Sequence, residues 1–273
     1  MPQIETSDAI SLHYEISGPA DAPALLLSNS LGTNLHMWDG QMAEAERHWR
    51  VIRYDQRGHG GSDTPQGEYR LDRLGLDVID LLAALKIDKA AFCGLSMGGM
   101  TGLWLAIHHP GTFTRMALCN TAAFLPPKDA WNDRIAAVSQ GGMAAIEKTV
   151  MERWFTSGFR SAERDEAERI RQMILTTPPA GYAGCCAAIR DMDQRQEIGS
   201  IDLPALVVIG AHDPATLPEY GELIAASIAN AQSVTLDAAH LSNIEQNEAF
   251  NRAVFGFLAN SRGDSPNSPG NGK

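Results

Sequence analysis

Between positions 10 and 16 the apolar residues Ile10, Leu12, Tyr14 and Ile16 fall on every second position, the period of a strand with one buried face. Shorter and almost continuously apolar runs follow at 24–27, 51–54, 90–93 and 116–119. Runs of that kind suit strands of a sheet covered on both faces. Between them, Leu74, Val78, Leu81, Leu82 and Leu85 make one helical stripe over 71–85, and a second helix is predicted over 97–108. Strand–helix alternation predicts an α/β fold: a mostly parallel central sheet, right-handed crossovers and helices on both faces. The alternation stops at 122–199, where Pro126 and Pro127 open a strand-free segment, Pro178 and Pro179 interrupt it, and 161–169 is charge-dense and helical. This segment reads as a helical cap inserted into a core made of 1–121 and 200–260. The pattern resumes with a strand at 205–209, a helix at 219–229, a strand at 234–236 and a closing helix at 248–258. The Gly-, Pro-, Ser- and Asn-rich stretch 261–273 is predicted to be a disordered tail. Its Arg262-Gly263-Asp264-Ser265 matches a cell-adhesion ligand, and a short coincidental match is the favoured reading.

Composition narrows the function classes. The 273 residues are 44% hydrophobic, enough to bury a large core. Lys and Arg number 22 against 33 Asp and Glu, a net charge of −11. That balance counts against nucleic acid or an anionic membrane as the partner, and an anionic substrate would need a local cationic pocket. The chain has no apolar run near the roughly 18 residues of a transmembrane span, and its first residues lack the pattern of a signal peptide, so a cytoplasmic location is expected. Of four cysteines, Cys93 and Cys119 end strand-like runs and read as small core residues, while the adjacent Cys185 and Cys186 would make a strained bridge. No ligand spacing points to a metal.

The candidate chemistry begins at Gly94-Leu95-Ser96-Met97-Gly98, a G-x-S-x-G sequence between a predicted strand and a predicted helix. In that context the serine sits on a sharp turn, and the flanking glycines let strand and helix approach. A serine hydroxyl needs a positioned base to act as a nucleophile. His240, on the loop after the last strand, is best placed, and Asp213, after the preceding strand, is the matching acid. The chain order Ser96, Asp213, His240 is the one expected for this strand–turn–helix arrangement. An oxyanion hole would use the backbone N–H groups of Met97 and of Leu31, the latter in the loop after the 24–27 strand.

These residues resemble the α/β-hydrolase superfamily over nearly the whole chain, 10–258. The sequences Tyr54-Asp55-Gln56-Arg57-Gly58-His59-Gly60-Gly61-Ser62-Asp63, the elbow from Gly94 to Met100 and Ala239-His240-Leu241-Ser242-Asn243-Ile244-Glu245-Gln246 are similar to the 3-oxoadipate enol-lactonases. So are Arg153-Trp154-Phe155-Thr156 and the stretch from Tyr182 to Asp191 in the insertion. The presence of Asn29-Ser30, where many superfamily members have His-Gly, is a departure. The resemblance implies hydrolysis of the enol-lactone of 3-oxoadipate through an acyl-enzyme, with a small-molecule lactone or ester as substrate and no cofactor. Such a substrate carries a carboxylate, so an arginine should receive it: Arg190 and Arg134 are the candidates, with Arg153 behind them. Trp131 and Trp154 read as pocket walls, and Arg57 and His59 as structural residues of a turn. The alternatives are a generic carboxylesterase, a perhydrolase or haloperoxidase-type enzyme of the same fold, and a ligand sensor that keeps the triad without turnover. A carbon–halogen hydrolase is disfavoured because it would place Asp at position 96. Oligomeric state is not legible in the sequence.

Overall fold

The computed structural model describes residues 2–259, so the predicted tail and its Arg262-Gly263-Asp264-Ser265 lie outside the described residues. Strands β1 (Gln3–Glu5), β2 (Ser11–Ser17), β3 (Ala24–Ser28), β4 (Arg50–Tyr54), β5 (Ala90–Leu95), β6 (Phe113–Cys119), β7 (Ala205–Gly210) and β8 (Ala231–Leu236) form one sheet. Their order is β1-β2-β4-β3-β5-β6-β7-β8. β2 runs antiparallel to both of its neighbours, and every other pairing is parallel.

The apolar runs are continuous because both faces of the sheet are covered. In β3, Leu25 and Leu27 pack in one core with Met42 of α1 (Asp39–Ala45) and with residues near the chain's end, whereas Leu26 packs on the opposite face. That second face is covered by α2 (Leu71–Ala84) and α3 (Met97–His108). The sequence pattern misses β1 and α1. The three residues of β1 include none that is buried, and α1 is too short to show a helical period. β8 starts three residues before the predicted 234, where the exposed Gln232 and Ser233 join the sheet through backbone pairing with β7.

Between β6 and β7 the chain forms α4 (Lys128–Gly141), α5 (Glu147–Trp154), α6 (Ser157–Ala162), α7 (Arg164–Thr176) and α8 (Pro179–Asp191). The second proline pair interrupts the helices as expected: α7 ends at Thr176 and Pro179 begins α8, where its missing N–H would have had no helical partner anyway. After β7 come α9 (Pro218–Ser227), which ends two residues short of the predicted 229, then α10 (Ser242–Glu245) and α11 (Asn247–Ala259). Helices α9 and α11 complete the two covering layers. The insertion docks closely on the core loops: a Cβ on Gly181 of α8 would run into the backbone of Gly58.

The chain leaves β3 for β4 on one side and returns to β5 on the other, so the loops part at the carboxyl ends of β3 and β5, the usual place for a ligand crevice. One wall of this crevice, the loop after β3, is fastened from behind. The Gly32 N–H donates to His59 Nε2 at 2.9 Å, and Asp55 accepts from the N–H groups of Leu35 and Gly61, each at 2.8 Å. Arg57 makes two 2.6 Å hydrogen bonds to the buried Asp77. The turn residues Arg57 and His59 are thus buried struts, as their sequence context suggests.

His59 has no exposed surface, and burial lowers its pKa from 6.5 to about 4. Between those two values the unfolded chain binds a proton that the folded chain refuses, so stability falls as the pH drops through that window. The loss should reach about 3 kcal/mol. Urea unfolding of the wild type and His59→Asn from pH 7 to pH 4 should show this loss in the wild type only; parallel curves would reject it.

Candidate active site

Ser96 occupies the turn between β5 and α3 with φ +58° and ψ −117°, a backbone conformation costing on the order of 1–3 kcal/mol for a non-glycine residue. The surroundings hold it there. Its N–H donates to the Cys119 carbonyl at 2.9 Å, and its own carbonyl accepts from Thr121 Oγ1 at 2.7 Å. Ser96 is the N-cap residue of α3, yet its side chain makes no capping hydrogen bond. The hydroxyl is therefore left for chemistry, unlike an ordinary N-cap serine. Gly98 allows the close approach on which this geometry depends: a Cβ there would collide with the Ser28 carbonyl oxygen at the end of β3.

That same approach sets the start of α3 against the end of β3, from which the loop carrying Leu31 departs. Met97 is the first residue of α3, so its N–H has no carbonyl within the helix to bond. In the loop after β3, the Ser30 N–H is spent on Met37 Sδ and the Gly32 N–H on His59. Leu31, between them, has its N–H spent on no acceptor among the described residues and lines the same cavity as Ser96. Of the two predicted donors, Met97 thus adjoins Ser96 in the chain and Leu31 shares its cavity. Asn29 has a structural part: its amide donates to the Tyr54 carbonyl at 2.7 Å and accepts from the Trp38 indole at 2.9 Å.

His240 and Asp213 are both 2% exposed, and His240 Nδ1 lies 2.8 Å from Asp213 Oδ2. A carboxylate only accepts, so Nδ1 carries the proton and Nε2 is the basic nitrogen. Burial alone would raise the pKa of Asp213. The neighbouring His240 and the donated hydrogen bonds outweigh it, and the net shift is downward, which keeps the group ionised. Ser96 and His240 sit on the wall of one cavity of about 260 Å³. The Asp213–His240 hydrogen bond is formed, whereas none joins the Ser96 hydroxyl to the ring; such contacts often tighten only when substrate arrives.

The insertion contributes Trp131, Arg134, Arg153, Trp154 and Tyr182 to the lining of the same cavity. The Arg134 guanidinium lies 4.9 Å over the Trp131 ring. Burial and the nearby charge of Arg134 lower the pKa of Arg153, so the two cations feel each other. No carboxylate lines this cavity among the described residues. Arg190 is a correction to the sequence expectation. Its neighbour Ile189 faces the cavity, but Arg190 is turned outward and bound to Glu68 at 2.9 Å and Asp191 at 2.6 Å. One step along a helix turns a side chain by about 100°, enough to exchange the cavity for the surface. No cluster of three His, Cys, Asp or Glu side chains suited to a metal occurs among the described residues.

The sequence reading missed the residues that brace the acid and the base. Asn120 donates to Asp213 Oδ2 at 3.0 Å and to the Ala239 carbonyl at 3.2 Å, and accepts from Ser242 Oγ at 2.6 Å. Thr216 donates its N–H and its hydroxyl to the same carboxylate at 2.9 and 2.7 Å. Glu245 accepts from the Ala239 N–H at 2.9 Å and from Thr156 of the insertion, and so anchors the loop that carries His240. A signal for Asn120 existed: it is the first polar residue after a buried strand, the same relation that Ser96 bears to β5.

Asn120 also has φ +43°, a left-handed conformation that asparagine tolerates better than alanine does. Asn120→Ala should lose about 2 kcal/mol of stability and roughly tenfold in kcat, because Asp213 and Ser242 lose a partner. Asn120→Gly should show the same kinetic loss and yet be about 1 kcal/mol more stable than the alanine variant, since glycine accepts that φ freely. Denaturant unfolding beside an esterase assay reads both effects.

Comparison with known proteins agrees with this geometry. A family model described as the alpha/beta hydrolase fold matches residues 23–246. 3-oxoadipate enol-lactonase 2 of Acinetobacter baylyi is 45% identical over 249 residues, covering 91% of this chain and 93% of that protein. The crystal structure of a hydrolase from Pseudomonas aeruginosa PA01 superposes with a TM-score of 0.93 at 48% identity, over 94% of this chain and 98% of that one. The enol-lactonase from Burkholderia xenovorans LB400 superposes with a TM-score of 0.92 at 44% identity, over 94% and 99%. The chain belongs to the alpha/beta hydrolase fold family, in the branch that holds these enol-lactonases.

Proposed function

We propose that this protein is a serine hydrolase that opens the enol-lactone of 3-oxoadipate, with the inserted helices acting as the cap that shapes its pocket. One observation carries the reading. One small cavity is lined by Ser96 and His240 from the core and by Arg134 and Arg153 from the insertion, with no carboxylate lining it among the described residues. An ester carbonyl and a carboxylate on one small molecule match those two sets of groups. The net charge of −11 would repel an anion elsewhere on the surface, so the local cations matter. The volume, about 260 Å³, lies just below the range of about 300–1,000 Å³ common for ligand pockets and suits a compact lactone.

Each step follows from the groups in place. Ser96 Oγ attacks the lactone carbonyl while His240 Nε2 takes its proton, and Asp213 stabilises the resulting imidazolium. The Leu31 and Met97 N–H groups receive the oxyanion. The carbonyl–ring oxygen bond breaks, and His240 returns the proton to the departing enol oxygen. That enol, still tethered to the acyl group, tautomerises to a ketone. Water then attacks the acyl carbonyl with His240 as base, and the Ser96 ester bond breaks to release the diacid. Protein groups and water complete the cycle, and Arg134, with Arg153 at its side, holds the substrate carboxylate throughout.

Ser96→Ala should reduce lactone turnover by at least about 10⁴-fold. Arg134→Ala should raise KM for the lactone roughly 10- to 100-fold, the value of a charge-assisted hydrogen bond, while leaving a neutral phenyl ester nearly unaffected. Arg190→Ala should alter neither. Turnover of phenyl esters without turnover of the lactone would move the assignment to a general esterase, and peroxide-dependent acyl transfer as the main activity to a perhydrolase.

A further inference from the structure

Ser30 is 1% exposed, and its hydroxyl oxygen is buried with no hydrogen-bond partner. Its main chain is fully occupied: the N–H goes to Met37 Sδ at 3.2 Å, and the carbonyl accepts from the Thr33 N–H at 3.2 Å and the Thr33 hydroxyl at 2.8 Å. The residue is thus fixed in place while its side chain is left unused. A buried hydroxyl without a partner destabilises a fold, and alanine would fill the same position without that penalty.

The location supplies a use. Ser30 lines the cavity that holds Ser96 and His240, and it immediately precedes Leu31. Only Cβ, Cα and the carbonyl carbon separate its hydroxyl from the Leu31 nitrogen, so an acceptor held by that N–H is within reach of a rotated Ser30 side chain. We infer that the Ser30 hydroxyl is a third hydrogen-bond donor to the carbonyl oxygen under attack, acting beside the N–H groups of Leu31 and Met97. The inference rests on the serine-hydrolase reading above and adds a residue to its machinery. A hydroxyl desolvated in advance and lacking a ground-state partner has its bond formed where negative charge develops, which favours the transition state over the bound substrate.

The test compares wild type, Ser30→Ala and Ser30→Cys, the cysteine keeping most of the volume but donating weakly. Both variants should lose roughly 10- to 100-fold in kcat on the lactone and on a neutral phenyl ester, with KM within about twofold. Inhibition by phenylboronic acid, whose adduct with Ser96 places a tetrahedral oxygen in the same position, should weaken by a similar factor. The Tm of Ser30→Ala should equal or exceed that of the wild type. Unchanged kcat and boronate inhibition in the variants would overturn the inference, as would a lower Tm or failure of the alanine variant to fold, because the hydroxyl would then be serving the structure. A wild type inert toward lactone and ester alike would instead remove the hydrolase reading itself.

Discussion

The site is built on one close approach: the first turn of α3 lies against the end of β3, where Gly98 leaves no room between the helix backbone and the Ser28 carbonyl. This approach brings the Met97 N–H to the loop that carries Ser30 and Leu31, and it fixes the turn that projects Ser96. A side chain at position 98 would push helix and loop apart and separate Ser96 and Met97 together from the loop that carries Leu31. Separations of about 1 Å at a reacting centre can cost roughly a hundredfold in rate. The buried struts behind the loop, His59 to Gly32 and Asp55 to Leu35 and Gly61, serve the same geometry from the other side.

A second set of contacts joins the acid and base to the insertion. Asn120, at the end of β6, reaches the carboxylate of Asp213 and the backbone just before His240. Glu245 ties the His240 loop to Thr156, and the Leu241 N–H donates to the Trp154 carbonyl at 3.0 Å. The insertion sequences that resemble the enol-lactonases are therefore the ones that touch the catalytic loops. Arg153-Trp154-Phe155-Thr156 meets the loop of His240, and Tyr182 packs on Gly32 beside the oxyanion donors. Pocket shape and triad geometry share these contacts, so a change in the insertion can disturb both.

Several features of the site work against the stability of the resting fold. Ser96 and Asn120 hold positive φ, Arg153 sits in the field of Arg134, and the Ser30 hydroxyl is buried alone. The proposed substrate, which brings a carbonyl, a carboxylate and a developing negative charge, would answer to Ser96, the two arginines and Ser30, while Asn120 holds Asp213 and the backbone before His240. Stability given up where function needs an unfilled or strained site is a common pattern in enzymes. The two covered faces of the sheet supply the apolar burial that tolerates it.

Much of this was legible in the chain itself. Strand–helix alternation gave the parallel sheet, the G-x-S-x-G turn located Ser96, and strand order placed Asp213 and His240, because each depends on residues near in sequence. The short edge strand β1 and helix α1 escaped, since three or seven residues carry too little periodicity. What lay beyond the sequence was the direction of individual side chains once elements pack. Arg190 and Arg134 are equivalent as charges on predicted helices, yet packing turns one toward Glu68 and the other into the cavity. The bracing by Asn120, Thr216 and Glu245, and the solitary hydroxyl of Ser30, likewise exist only through contacts between distant segments. Local chemistry determines which elements form and which groups are reactive; three-dimensional packing decides which of those groups face one another across the same small space.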